Sequence, residues 1–324
     1  MSNQSKVTEF LLLGFVDIQE LQIFHNIIFL IIYLLASMEN LLIITVIIYS
    51  RHLHTPMYIF LANLSFQDFG SISVTVPKSM ANSLMNTQAI SYSGCVSQVF
   101  FLVFFMISHF FLLGVMSYDR YVAICNPLHY ETMMNKKVCI QMAIGAWLGG
   151  LFYSILYTGN AFTVEFCSNV VYQFFCEIPQ LLKIACSDSY DTEIWILTFG
   201  ASLCFIYFTL VIFSYVQIIR AVLKIPSTKG KQKAFSTCMP HLIVISLFLV
   251  SGTFAYLKPT ASSPSALDLL VSILYCIVPP VMNPLIYTMR NTEIKKAFWK
   301  VLACQGLTAG FGGFVFVFVL SFGN

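Results

Sequence analysis

The sequence predicts an all-α membrane protein: a seven-transmembrane helix bundle followed by a short amphipathic cytoplasmic helix. Three observations carry this expectation. The 324-residue chain is 58% hydrophobic and 10% charged, where globular domains carry about 25% charge. Its mean hydropathy is +0.81. Seven long apolar runs follow one another, and the cations between them segregate to alternate loops. A helical span needs ~20 apolar residues to cross ~30 Å of hydrocarbon.

The runs fall at residues 23–49, 57–80, 97–119, 138–160, 195–222, 239–257 and 268–289. The first is interrupted by Glu39-Asn40 and stops at Ser50-Arg51. The second opens after Thr55-Pro56 and contains Asp68. The third carries His109 at mid-span and ends at Asp119-Arg120. The fourth follows Lys136-Lys137. The fifth runs into Arg220 and Lys224, and the sixth follows Lys229, Lys231 and Lys233. The seventh is broken by Asn283-Pro284. Membrane strands alternate apolar and polar residues with a period of two, and these runs do not. The segment "FLLLGF" is too short for a signal-peptide core, so the first span is expected to act as an uncleaved anchor.

Charge sets the orientation. The segments after spans one, three, five and seven hold Arg51, Arg120, Lys136, Lys137, Arg220, Lys224, Lys229, Lys231, Lys233, Arg290, Lys295, Lys296 and Lys300. The other side has Lys6, Lys78, Lys183 and Lys258. The positive-inside rule then puts the amino terminus outside. The expected layout is an extracellular tail (1–22), a membrane domain (23–289) and a cytoplasmic tail (290–324) containing the amphipathic helix. Basic residues confined to short loops at one face do not form a nucleic-acid patch. No enzyme, cofactor or metal site is indicated. The last stretch, "GLTAGFGGFVFVFVLSFGN", alternates Phe and Val like an aggregation-prone strand, and no function is assigned to it.

Of ten cysteines, Cys95, Cys167, Cys176 and Cys186 fall in outer segments. Four thiols in an oxidising compartment suggest disulfides. Zinc is the rival, but no outer histidine joins them and no C-x2-C spacing occurs. Asn3-Gln4-Ser5 is a glycosylation acceptor on the outer side. The long outer loop at 162–193 is expected to be functional or tied down.

Ionisable groups inside a membrane are functional by default. Glu39, Asn40, Asp68, His109 and Asn283 lie in the middle or inner half of their spans, as one inner polar network. By position alone, hydrogen-bonded glue between helices is the more economical reading. A network with two arrangements is the sharper one. A proton or ion pathway needs acids staggered through the full thickness, which the outer halves lack.

The segments "LHTPMY" (Leu53–Tyr58), "MSYDRYVAIC" (Met116–Cys125), "SY" (Ser214-Tyr215), "KAFSTCMPH" (Lys233–His241) and "PPVMNPLIY" (Pro279–Tyr287) stand in one order along the chain. With these residues the chain resembles an odorant receptor of the tetrapod type, within the rhodopsin-like G-protein-coupled receptor superfamily. The resemblance runs from about Glu9 to Leu302. It implies that Asp119 holds Arg120 in the resting state, within Asp119-Arg120-Tyr121. On activation Arg120 turns toward the G protein, helped by Tyr215 and Tyr287. It also implies roles for Lys231, Lys233 and His241 in helix 6 and for the Asn283-Pro284 hinge. Arg suits the role because it is always charged and forks onto carbonyls. Pro284 removes a helical hydrogen bond, and Asn283 has donors for freed carbonyls or for Asp68.

The same resemblance implies the disulfides Cys95–Cys176 and Cys167–Cys186, and a palmitoylated or free Cys304 after the basic segment Asn291–Leu302. The sequence departs from the pattern in three places. Glu39 stands where Gly is usual, His109 where many members have Glu, and Leu249 where Tyr is common. Asp68 is therefore expected to pair with protonated His109, which would weaken any sodium site.

Counting helical turns from these landmarks places Leu102, Val103, Met106, Ile107, Phe199, Leu203, Gly252, Tyr256, Ile273 and Cys276 around the outer half of the bundle. The set is nearly all apolar, with Tyr256 its main hydrogen-bonding group. Amine receptors of the superfamily have Asp where Leu102 stands, and a buried ammonium without a counter-ion is costly. The implied ligand is a small, volatile, hydrophobic and neutral odorant. The implied partners are membrane lipid and a heterotrimeric G protein of the stimulatory, olfactory class that raises cyclic AMP. The implied location is the plasma membrane of olfactory cilia. Two alternatives remain: a related receptor for a non-odorant metabolite, and a transporter or channel, which the missing acid chain and missing repeats disfavour.

Overall fold

The structure, a computed structural model, describes residues 7–13, 19–85, 87–186, 190–257, 266–290 and 293–297, with some side chains in these ranges, Lys233 and Tyr256 among them, outside the description. Asn3, Cys304 and the apolar stretch 307–322 lie outside the described residues.

The helices in chain order are α1 (Gln19–Tyr49), α2 (Pro56–Leu84), α3 (Tyr92–Cys125), the short α4 (Tyr130–Met133), α5 (Lys136–Ala161), the short α6 (Ile178–Lys183), α7 (Tyr190–Lys224), α8 (Thr228–Leu257), α9 (Ala266–Cys276) and α10 (Val278–Arg290). Among the described residues, stretches of α1, α3, α5, α7 and α8 are long and apolar enough to cross a membrane. The pair α9–α10, bent by 41°, makes a sixth span. Helix α2 completes the seven-helix bundle. It falls short on apolarity because Ser65, Gln67, Asp68, Ser71, Thr75 and Asn82 share its buried face with Tyr58, Phe60, Leu61, Leu64, Ile72 and Val76.

Burial is inverted relative to a water-soluble bundle. On α1, Ile27, Leu30, Ile31, Leu34, Leu41 and Ile48 are exposed, while Glu39 and Asn40 are buried. Exposed apolar residues at helical spacing form a lipid-facing stripe. Helix α3 is the central post and packs on α2, α5, α7 and α8. Glycine permits its closest approach to α5. A Cβ at Gly150 would meet the Ser108 side chain and lie 2.9 Å from the Ser108 backbone nitrogen. The Trp147 indole of α5 donates to Asn63 Oδ1 of α2 at 3.0 Å. The break between α9 and α10 falls beside Pro279 and Pro280, whose missing N–H groups interrupt the helical ladder.

The face expected to be the outer one carries a small sheet that the apolar pattern does not announce. Strand β1 (Glu9–Leu12) pairs antiparallel with β2 (Ala89–Ser91) and parallel with β3 (Val170–Val171). Phe10 and Leu12 alternate inward and are buried. Part of the expected outer tail is thus stitched to the loops. Two disulfides secure the same face: Cys95–Cys176, with Cα atoms 5.6 Å apart, and Cys167–Cys186, at 5.1 Å. On the opposite face, residues 293–297 form one helical turn. Its Ile294 and Ala297 are buried against Ile43, Val46, Leu53 and Tyr58. Lys296 and Glu293 face outward and pair at 3.0 Å.

Candidate functional site

Polar side chains gather at three depths of the bundle. At mid-depth, α2, α3 and α10 meet on Asp68. Its Oδ1 lies 3.3 Å from His109 Nδ1, and its Oδ2 accepts from Asn283 Nδ2 at 2.9 Å. The His109 ring stacks on Phe248 of α8, centroids 5.5 Å apart. Three helices therefore converge on one carboxylate, and α8 joins them through the His109 ring. Asn40 stands apart from it: its Nδ2 donates to the carbonyls of Ala36 (2.8 Å) and Pro280 (2.9 Å), tying α1 to the broken segment of α10. Glu39 is buried, and its Oε2 has no hydrogen-bond partner among the described residues.

At the inner mouth, the Tyr215 hydroxyl of α7 lies 2.6 Å from His241 Nδ1, and His241 Nε2 lies 3.0 Å from the Leu113 carbonyl of α3. A carbonyl only accepts, so Nε2 carries the hydrogen. In the neutral ring Nδ1 is then bare, and Tyr215 donates to it. The result is a clamp across α3, α7 and α8. Asp119 Oδ1 accepts from Tyr130 of α4 at 2.8 Å. Burial, and then the Asp119 carboxylate, hold the Tyr130 phenol above the usual tyrosine range. Among the described residues no ion pair joins Asp119 to Arg120. The 3-10 turn Pro127–His129 delivers Tyr130 to that carboxylate instead. Arg120 is buried, its Nε has no hydrogen-bond partner among the described residues, and it acts electrostatically on Tyr215, Cys238 and Tyr287. Tyr121 packs on Tyr118 at 6.2 Å. Pro284 is buried one turn above Tyr287, whose hydroxyl has no hydrogen-bond partner among the described residues. Lys231 is half-buried at the start of α8, and the Lys233 side chain lies outside the description.

In the outer half, the loop after β3 plunges into the bundle. Gln173, Phe174, Phe175, Cys176, Glu177 and Ile178 are all buried. The Cys176 amide donates to Gln98 Oε1 (2.8 Å), whose Nε2 donates to the Val74 carbonyl (3.0 Å). Glu177 accepts from Gln173, Ser272 and Tyr275. The apolar positions counted from the sequence separate into two clusters. Leu102, Met106, Ile273 and Cys276 pack with Phe174, Phe175 and Tyr275. Val103, Ile107, Phe199 and Leu203 pack with Tyr153 and Tyr157. Among the described residues, a Cβ at Gly252 would meet nothing within 4 Å, so that point of α8 borders open space there. The Tyr256 side chain lies outside the description.

The sequence profile described as "Olfactory receptor" matches residues 29–305. Olfactory receptor 14A16 of Homo sapiens is 49% identical over 298 residues, covering 92% of this chain and 96% of that protein. Olfactory receptor 14I1 of Homo sapiens is 49% identical over 302 residues, covering 93% and 97%. The chain belongs to the olfactory receptor family. The fold of this olfactory receptor also matches squid rhodopsin, with a TM-score of 0.68 at 17% identity over 90% of this chain and 89% of that one. As a family member it is a multi-pass membrane protein and a signalling receptor rather than an enzyme. The partner classes the family implies are a G protein and a small-molecule ligand.

Several residues that organise this receptor's site escape a reading by motif. Tyr130 is eleven positions from Asp119 on a separate helix, so no local spacing links them. Glu177 follows a bridged cysteine, which hints at an inward-facing position but not at Ser272 and Tyr275 as partners. Gln98 sits in an apolar span without a charge to draw attention to it.

Proposed function

We propose that this olfactory receptor binds a small, neutral, hydrophobic odorant beneath the disulfide-pinned loop and activates a heterotrimeric G protein of the stimulatory, olfactory class, raising cyclic AMP. The single observation that carries the reading is the Tyr215–His241–Leu113 clamp beside the buried Arg120. It joins three helices at the inner mouth and gives a G protein a movable partner. The apolar clusters around Leu102, Met106, Ile273 and Cys276 and around Val103, Ile107, Phe199 and Leu203 support an apolar ligand. The open space at Gly252 supports a ligand that reaches α8, with Tyr256 on the same helix as its hydrogen-bonding contact. Apolar burial at ~25 cal/mol per Å2 gives a small volatile modest affinity.

The ligand acts by binding one arrangement of the bundle better than the other. Asp68, joined to His109 and Asn283, transmits that preference to the Pro284 hinge of α10. Opening at α7, α8 and α10 frees Arg120 toward the G protein, with Lys231 and Lys233 flanking the cleft. The amino terminus faces outside, Asn3 is glycosylated, and the receptor lies in the plasma membrane of olfactory cilia. A panel of neutral odorants on cells carrying a cyclic AMP reporter tests the reading. At least one is expected to raise cyclic AMP through the wild type and not through Arg120→Ala. An odorant response that persists in cells lacking the stimulatory G-protein subunit would contradict it.

A further inference from the structure

A cavity of about 430 Å3 opens on the outer half of the molecule between α2 and α3, where its Val74 and Ile90 also pack on the two apolar clusters of the proposed odorant site. Val74, Ile90 and Phe101 give it apolar walls, Ser91 and Ser97 border it, and Lys78 enters from α2. Its floor is the Gln98 bridge, which joins the Val74 carbonyl to the Cys176 amide. Phe101 is exposed on the apolar surface of α3, so the groove is continuous with the lipid-facing side. Lys78 is half-buried and makes no hydrogen bond or ion pair among the described residues. It is one of four cations on a face where the other three lie in the tail and loops.

We propose that this groove binds a single-chain anionic amphiphile, a long-chain carboxylate, with its head on Lys78 and its alkyl chain along Val74 and Phe101. An unpartnered ammonium at the polar edge of an apolar groove is complementary to a head of opposite charge attached to a hydrocarbon tail. Volume selects the class: the cavity falls in the range of about 300–1,000 Å3 that holds small ligands, which suits one chain rather than a two-chain phospholipid. The occupant braces α2 against α3 above Gln98, next to the bridged Cys176. The inference depends neither on the identity of the odorant nor on the choice of G protein.

The test is photo-crosslinking of the purified receptor, in phosphatidylcholine nanodiscs, with a diazirine-bearing long-chain fatty acid, the sites being mapped by mass spectrometry. Labelling is expected to concentrate on residues 74–78 and 90–101. Oleate is expected to compete, whereas methyl oleate is not. Lys78→Gln is expected to raise the oleate concentration needed for competition by about tenfold, and Lys78→Arg to leave it unchanged. Ser97→Phe, which fills the groove and keeps the cation, is expected to abolish labelling there. Labelling spread evenly over all lipid-facing helices would overturn the proposal. So would equal competition by methyl oleate, an unaltered Lys78→Gln, or stronger competition by a dianionic phosphatidate than by oleate.

Discussion

At the scale of single residues, the receptor's behaviour follows from which buried polar atoms find partners. Tyr215 donates to His241, and Tyr215→Phe leaves Nδ1 of a buried ring bare. An unsatisfied buried group costs about 1–3 kcal/mol. The thermal midpoint of the purified receptor is therefore expected to fall in Tyr215→Phe, and an unchanged midpoint would contradict the clamp. Asp68 is engaged by His109 and Asn283 together. Wild-type signalling is accordingly expected to ignore sodium, and His109→Glu to acquire a sodium response; the same response in both would contradict the pairing.

Tyr130 supplies a pH test. Its phenol is held above the usual range in the folded protein. Its contribution is therefore whole below the unfolded tyrosine value of about 10 and is lost as pH rises through the folded value. The stability gap between wild type and Tyr130→Phe should persist to pH 10 and close only above it. A gap closing near neutrality would count against the Tyr130–Asp119 bond. At this scale the sequence made Asp68, His109 and Asn283 visible, because a charge or amide in an apolar run stands out. Tyr130 and Glu177 stay hidden: their partners lie on other elements, and nothing local marks them.

At the scale of elements, packing sets what each helix and strand tolerates. Gly150 has no room for a side chain against Ser108, so Gly150→Val is expected to lower stability by about 1–3 kcal/mol, the usual cost of overpacking. Reduced thermal stability and reduced surface expression would report it. The Cys95–Cys176 bridge closes 81 residues and Cys167–Cys186 closes 19. Loop-closure entropy makes the longer bridge worth about 1 kcal/mol more. Cys95→Ser is thus expected to impair folding more than Cys167→Ser, as measured by maturation at the cell surface. Apolar length marked the spans well, and cation spacing marked the loops between them. The small outer sheet was not legible, because a four-residue strand such as β1 leaves too short an alternation to separate from a tail. The break at Ile277 was anticipated only as a hinge at Pro284, whereas Pro279 and Pro280 also interrupt the ladder.

At the scale of the whole molecule, one asymmetry underlies the proposed topology: thirteen of the seventeen Lys and Arg residues fall in the segments after spans one, three, five and seven. The outer end is sealed by the sheet, two disulfides and a loop buried into the bundle. The inner end holds Arg120 beside a clamp between helices. Under the proposed function, a bundle pinned at one end and jointed at the other would convert events at the disulfide-bridged end into motion at the Arg120 end. That arrangement requires the basic face to be cytosolic. The direct measurement is an epitope inserted in the Lys229–Lys233 segment, probed with antibody in intact and permeabilised cells. The account predicts staining only after permeabilisation; staining of intact cells would contradict it.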